Sequence, residues 1–157
     1  MRIRIVVAAM ALLVLPGLVR AEEAPADVLR GMWGAMATGD FAAVEACWFP
    51  VTDAAFVAGQ RAALAESSRM LQAGEIRVDV VDSRIQGDWA MVVVRFTVTR
   101  DGESDEHVQN EILAKHEGKW KYVFKPQVGA GPLAAYSESD LTTLEQWWWS
   151  NRDSFRE

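Results

Sequence analysis

Apolar residues in the first half of the chain recur at intervals of three and four. From Asp27 onward the members of this pattern are Val28, Leu29, Met32, Trp33, Met36, Phe41, Val44, Cys47, Trp48, Phe56, Val57, Leu64, Met70 and Leu71. This period predicts three amphipathic helices. Gly39, Pro50 and Gly74 are expected to end them, because Gly supplies left-handed backbone and Pro cannot continue a helix. Asp40 and Asp53 are the expected N-caps of the second and third helices.

After Gly74 the apolar period changes to two, which is typical of β-strands. The predicted strands are Ile76 to Val80, Trp89 to Thr99, Asp105 to Ala114 and Trp120 to Phe124. Gly87-Asp88, Asp101-Gly102 and Glu117-Gly118 stand between consecutive strands and are expected to form hairpin turns. The second half of the chain is therefore predicted to be an antiparallel meander.

The two faces of the predicted strands differ in polarity. Even positions of the strand Trp89 to Thr99 are apolar throughout, and its odd positions are apolar only from Trp89 to Val93. One face of the sheet is therefore predicted to lie in the core, and the other to be covered along part of its length. In the next strand the odd positions His107, Gln109 and Glu111 are polar, which predicts a solvated face.

A last helix is predicted after a linker at residues 129–132. Ser137 or Ser139 is its expected N-cap, and its apolar residues are Leu141, Leu144, Trp148 and Phe155. Helices followed by a meander indicate an α+β fold, with N-terminal helices packed on one face of a curved antiparallel sheet, plus a C-terminal helix. The predicted organisation is a segment 1–21, a domain 22–128, and the linker with a Trp-rich helix at 129–157.

The segment 1–21 resembles a secretory signal peptide. Arg2 and Arg4 precede an apolar run from Ile5 to Leu15, and Val19-Arg20-Ala21 supplies small or permissive residues for cleavage. The run is short for a membrane span, so we expect a periplasmic or secreted protein without a span after cleavage. The formal net charge of −6 disfavours binding to nucleic acid or to anionic lipid.

Two groups of residues together resemble one known superfamily. They are the segment 36–44, which runs through Gly39-Asp40, and the strand and hairpin segments 87–94 and 112–122. Residues 26–126 are similar to the nuclear transport factor 2-like (SnoaL-like, cystatin-like cone) superfamily, particularly its small exported bacterial members. The resemblance implies a bent sheet that wraps a long helix and often dimerises through its outer face. The superfamily includes isomerase-like and cyclase-like enzymes as well as non-catalytic binding and accessory domains, so the site must decide the function.

Proton-transfer chemistry needs a base in an apolar pocket and a donor for a developing oxyanion. Asp79, His107 and Glu111 are the available bases, and Tyr122 is the available donor. An isomerase-like or cyclase-like enzyme would place Asp79 or His107 in the cavity beside Tyr122. The strand alternation instead favours solvated positions for both, so the sequence assigns no catalytic residue and leaves only weak candidates.

Binding residues are suggested by aromatic side chains and by one interrupted apolar face. Trp120, Tyr122 and Phe124 alternate along one strand and either line a pocket for an apolar ligand or fill the core. Asn110 interrupts the face formed by Val108, Ile112 and Ala114, so it either bonds a ligand in the cone or a neighbouring group.

Three consecutive tryptophans in the last helix span about 200° of its circumference, so one face cannot bury all of them. Trp148 continues the apolar stripe and is expected to pack on the body of the protein. Trp147 and Trp149 are expected at its margins, either packed or as contacts for a partner. If the helix is an anchor in an envelope complex, deletion of residues 133–157 should abolish partner capture and leave the fold intact.

No pattern for a metal, phosphate or activated nucleophile is present, and no cofactor is predicted. The favoured interpretation is an exported, non-enzymatic domain that binds a small apolar ligand or a protein. A homodimer and an envelope protein partner both remain open, as do the enzyme and accessory-subunit alternatives.

Overall fold

The computed structural model describes residues 22–156, so the predicted signal peptide lies outside the described residues. The elements are α1 (Pro25–Thr38), α2 (Phe41–Ala46), α3 (Ala54–Gln72), β1 (Ile76–Gln86), β2 (Trp89–Arg100), β3 (Glu103–His116), β4 (Lys119–Val123) and α4 (Glu138–Asn151). Three 3₁₀ turns cover Lys125–Gln127, Gly131–Ala135 and Ser154–Arg156. The predicted α+β class is confirmed. No helix within residues 22–156 is both long and apolar enough to cross a membrane.

The predicted caps hold at Gly39, Asp40 and Asp53, but α2 ends at Ala46 and not at Pro50, because the chain at 47–49 pairs with β4 instead. Gly39 ends α1 in the left-handed conformation, and its N–H bonds the carbonyls of the last turn. The Asp40 carboxylate accepts the N–H of Ala43 at the start of α2. The Asp53 carboxylate accepts two backbone N–H groups at the start of α3. These side chains satisfy donors that a helix N-terminus leaves without partners.

The four strands form one antiparallel sheet in the order β1-β2-β3-β4. A bulge between Val80 and Asp82 shifts the register of β1 on β2. Pairing with β2 continues to Gln86, so β1 is longer than predicted. The outer edge of β4 is also paired. The short segment Cys47–Phe49 bonds Tyr122 through two backbone hydrogen bonds of 2.7 and 2.8 Å.

The sheet separates two apolar cores. Its inner face, toward α1–α3, carries the even residues of β2, namely Ala90, Val92, Val94 and Phe96, against Leu29, Met32, Met36 and Leu64 of the helices. Its outer face, toward α4, carries Trp89, Met91 and Val93 against Leu141, Leu144 and Trp148. The predicted partial cover of the odd face is therefore α4 with its flanking turns.

Hydrogen bonds hold α4 on the outer face at both ends. The indole N–H of Trp89 donates to the Ser137 carbonyl over 3.0 Å. Arg95 Nη2 donates to the Phe155 carbonyl over 2.8 Å. The prediction that Phe155 belongs to α4 is wrong, because α4 ends at Asn151. Phe155 lies in the final 3₁₀ turn and stacks on Trp148.

Gly87 in the β1–β2 turn also reflects this docking. Its φ is +57°, and a Cβ atom at this position would collide with the carboxylate of Asp140 in α4. The turn therefore requires glycine for its backbone conformation, and a larger residue would also displace the Asp140 side chain.

Candidate functional site: a buried acid–tyrosine pair

Glu111 is a buried carboxyl group on the inner face of the sheet. It lies opposite Val92 in the β2–β3 register, and the residue is 8% exposed. The odd positions of β3 therefore point toward the helices, and the prediction that this face is solvated is wrong for Glu111. Burial of an unpaired carboxylate is costly, so its surroundings are informative.

Two neighbours on the same face hydrogen-bond Glu111. Tyr122 Oη donates to Glu111 Oε2 over 3.0 Å, and Gln109 Nε2 donates to Oε1 over 2.6 Å. The antiparallel register places Tyr122 opposite Leu113, which is two residues along β3 from Glu111 and on the same face of the sheet. Each carboxylate oxygen thus has a donor, and the described residues form no ion pair with Glu111.

The electrostatics of the pair favour protonated forms of both groups. Burial raises the pKa of the Glu111 carboxyl, against smaller opposing effects of its two hydrogen bonds and of the Lys125 charge. Burial and the neighbouring Glu111 charge raise the pKa of the Tyr122 hydroxyl far above its ordinary value. Tyr122 is therefore a permanent hydrogen-bond donor beside an acid whose proton affinity is increased.

An aromatic group adjoins the pair. Phe124 makes edge-to-face contacts with Tyr122, Trp48 and Phe56, with ring centroids 5.0–5.2 Å apart. All four rings are half-buried. The site thus combines a buried acid with an aromatic rim that is partly accessible, and we name these six residues, Glu111, Tyr122, Gln109, Phe124, Trp48 and Phe56, the acid–tyrosine site.

A small apolar cavity of about 210 Å³ adjoins this rim on the side of Phe56. Its other walls are the loop Phe49–Asp53 and the segment around Leu133. The Gln127 side chain connects the two walls, since it accepts the Phe124 N–H and donates to the Pro50 carbonyl. The loop that carries Phe49 is thereby fixed against the chain that follows β4.

The structure separates several residues that the sequence grouped together. Asn110 lies on the outer face, opposite Val93, and its amide lies 3.5 Å from Met91 Sδ. It therefore does not share a site with Tyr122, and of the two alternatives for Asn110 the structure shows the contact with a neighbouring group. Trp120 is buried in the inner core and lines a different cleft of about 750 Å³ beside Lys119 and Lys121.

The weak catalytic candidates Asp79 and His107 are not beside Tyr122. Asp79 lies opposite Arg95 on the outer face and forms an ion pair with Arg77 at 2.9 Å. His107 is exposed and stacks on Phe96. It is about 20 Å from the Tyr122 pairing position along β3, at roughly 3.3 Å per residue. Of the three candidate bases Asp79, His107 and Glu111, only Glu111 contacts Tyr122.

The three tryptophans of α4 have different environments. Trp148 is buried against the sheet, as predicted. Trp147 is half-buried, contacts Phe155 and lies under the Arg84 guanidinium. Trp149 is 65% exposed and contacts Arg152. Of the two predicted partner contacts, only Trp149 is therefore a largely free surface residue.

Within residues 22–156 no cluster of three or more His, Cys, Asp or Glu side chains is arranged to hold a metal ion. The half-buried Cys47 thiol has a raised pKa, chiefly because of burial, which disfavours the reactive thiolate.

The fold and the site together define an α+β protein with an acid–tyrosine pair enclosed between a sheet and its helices. No protein-family model and no curated protein matches the chain. Similar solved structures include an NTF2-like protein of unknown function from Shewanella oneidensis MR-1, with 17% identity, a TM-score of 0.46, and coverage of 61% of this chain and 88% of that one.

Two further solved structures carry names of the same superfamily. One is a candidate NTF2-like transpeptidase from Campylobacter jejuni, with 19% identity, a TM-score of 0.47, and coverage of 66% of this chain and 100% of that one. The other is a candidate ketosteroid isomerase from Shewanella frigidimarina, with 16% identity, a TM-score of 0.44, and coverage of 64% and 91%. At these identities the likeness concerns the fold and not the activity.

Proposed function

We propose that this protein binds a small aromatic or apolar ligand at the acid–tyrosine site, through one hydrogen-bonding group of the ligand. The observation that carries the proposal is the 8% exposed Glu111, which is held by two neutral donors and by no cation of the described residues. A buried carboxyl group with a shifted pKa and a specific neighbour is typical of functional sites. Export to the periplasm or medium is part of the same proposal and rests on residues 1–21 alone.

The chemistry of the site selects the ligand class. The rings of Trp48, Phe56 and Phe124 offer faces and edges for an aromatic or flat apolar group. Glu111 offers lone pairs to an O–H or N–H donor of the ligand. A neutral ligand with a hydroxyl group fits both features, whereas an anionic ligand would be repelled by the carboxylate.

The binding prediction is tested with 2-naphthol, which combines a bicyclic aromatic ring with one hydroxyl donor. We expect saturable chemical-shift changes in ¹⁵N-edited NMR spectra that centre on β3, β4 and Trp48. At a pH where Glu111 is ionised, the Glu111→Gln variant should bind about tenfold more weakly, because a charge-assisted hydrogen bond becomes a neutral one. The control Glu103→Gln, on the exposed end of the same strand, should bind as the parent protein does.

A matched ligand keeps the naphthalene ring of 2-naphthol and lacks its hydroxyl donor. 2-Methoxynaphthalene should bind the parent protein weakly, and its affinity should be insensitive to Glu111→Gln. Equal affinity of both ligands for both proteins would contradict the proposed hydrogen bond. Shift changes confined to other parts of the molecule would contradict the location.

A proton-transfer enzyme is the second candidate, because a carboxyl group with a raised pKa beside a tyrosine donor is also suited to enolisation. The present hydrogen bonds favour binding, since Tyr122 donates to Glu111 and is not free for a substrate oxyanion. 2-Tetralone, a ketone of similar size with acidic α-protons, separates the two. Deuterium incorporation that depends on Glu111 would support the enzyme, and its absence together with binding would support the ligand-binding protein.

A further inference from the structure

The two edges of the sheet differ in whether another segment pairs with them. The β4 edge is paired with Cys47–Phe49. The β1 edge has no pairing segment among residues 22–156, because β1 is terminal in the strand order and bonds only β2. An edge strand presents a row of unpaired N–H and C=O groups that another strand can join.

The inner side of β1 also leaves apolar surface accessible. Ile76, Val78 and Val80 are half-buried and line a cleft of about 330 Å³ between α1 and the strand. Trp33, in the wall of this cleft, has a buried indole N–H for which the described residues provide no acceptor. The outer side of the same segment carries Arg77, whose side chain is 75% exposed, and Asp79, whose side chain is 43% exposed.

The segment Ile76–Val80 is complementary to itself in antiparallel orientation. A two-fold axis at Val78 places each Arg77 opposite Asp79 of the second copy. The same axis places each Ile76 opposite Val80 of the second copy, and the two Val78 residues opposite each other. Opposite charges and matched apolar pairs at directly opposed positions stabilise antiparallel strands.

We propose that this chain forms a homodimer through antiparallel pairing of β1 with β1 of a second copy, centred on Val78. The sheets of the two copies then become continuous across an isologous interface. The bulge between Val80 and Asp82 marks the end of the paired segment, because it breaks the regular pleat of the strand. The acid–tyrosine site takes no part in this interface, so the two proposals stand or fall separately.

A dimer through the outer face, which the family resemblance implied, is incompatible with this arrangement of α4. Leu141, Leu144 and Trp148 already cover that face within one chain. The β1 edge is the surface that combines free backbone groups with complementary charges. A second copy is favoured over a different peptide because the complement of each residue is present in the strand itself.

The dimer is tested by analytical ultracentrifugation of the protein over a range of concentrations. We expect a monomer–dimer equilibrium. Arg77→Asp and Asp79→Arg should each raise the dissociation constant about tenfold, because two attractive cross-strand pairs become repulsive. An equimolar mixture of the two variants should form a heterodimer, since every opposed pair in it is again of opposite charge. Arg61→Asp, which breaks an exposed ion pair with Glu45 away from β1, should have no effect.

Cross-linking tests the register. In a Cys47→Ala background, Val78→Cys should form an intermolecular disulfide, because the axis places the two side chains opposite each other. Ile85→Cys, at the far end of the same strand, should remain reduced. A monomer at all concentrations would overturn the proposal. A dimer with unchanged affinity in both charge variants, or one that cross-links through position 85, would overturn it as well.

Discussion

Replacement of Trp148 by alanine is expected to lower the free energy of unfolding by about 3–5 kcal/mol, the range typical of large-to-small changes at buried aromatic residues. Trp148 is 5% exposed, stacks on Phe155 and belongs to the outer core with Met91 and Val93. Its removal leaves a cavity between α4 and the sheet that the neighbouring side chains cannot fill. Urea denaturation followed by circular dichroism measures the change.

The chain offers a matched control in the next residue. Trp149→Ala removes the same side chain from a position that is 65% exposed, and it should change the free energy of unfolding by about 0.5 kcal/mol or less. Equal losses in the two variants would contradict the docking of α4 on the outer face. A loss confined to Trp148 would support it, whatever partner Trp149 contacts.

The same packing corrects one expectation from the sequence. Deletion of residues 133–157 was expected to leave the fold intact, but Leu133, Leu141, Leu144 and Phe155 are buried in the outer core. Without them Trp89, Met91 and Val93 would face water. Partner capture by this helix must therefore be tested by substitution at Trp149 and not by truncation.

Local signals in the sequence predict most of the fold. Asp40 and Asp53 cap helices where expected, and the glycines of the three hairpins have positive φ angles as their turns require. The two-sided apolar half of β2 correctly predicts a second covered face. These features depend on residues close in sequence, which is why a single chain suffices to predict them.

Strand register and helix docking depend on distant residues and were less predictable. The second half of β1 has no clear alternation and is a strand because β2 pairs with it up to Gln86. Phe155 fits the helical spacing of α4, but the helix ends at Asn151 and a separate turn carries it back to the sheet. Neither feature has a local signature.

The acid–tyrosine site was predicted only in part. The aromatic alternation of β4 predicts Tyr122 and Phe124 as site residues, whereas the polar alternation of β3 predicts a solvated position for the candidate base Glu111. Polar residues at alternate positions ordinarily indicate solvent, so the pattern alone misassigns this buried acid. Glu111 lies on the inner face because it is paired opposite Val92. This register is seen only in the folded sheet.

The stability of the protein is expected to fall as pH rises above the ordinary carboxyl range, and Glu111→Gln should remove this fall. Burial raises the pKa of Glu111 in the folded protein above its value in the unfolded chain. In the pH range between these two values the unfolded chain binds fewer protons than the folded one, so the free energy of unfolding decreases with pH. Each unit of difference between the two pKa values corresponds to about 1.4 kcal/mol.

Other shifted carboxyl groups act in a different pH range and with the opposite sign. Ion pairs with Arg61 and Arg69 lower the pKa of Glu45 and Glu66 in the folded protein. Their contribution is lost as pH falls below the ordinary carboxyl range, and it is complete above that range. The fall in stability above the ordinary carboxyl range that Glu111→Gln removes is therefore specific to Glu111.

Urea titrations of the parent protein and of Glu111→Gln at several pH values between 5 and 8 measure this slope. The glutamine keeps the shape of the side chain and accepts the Tyr122 hydrogen bond through its amide oxygen, while the Gln109 amide can turn to accept from it. The variant should thus be no less stable than the parent protein at pH 8. Glu103→Gln, at an exposed position of the same strand, should retain the parental slope. Parallel curves for the parent protein and Glu111→Gln would show that Glu111 is not buried in the folded protein, and the proposed ligand site would fail with it.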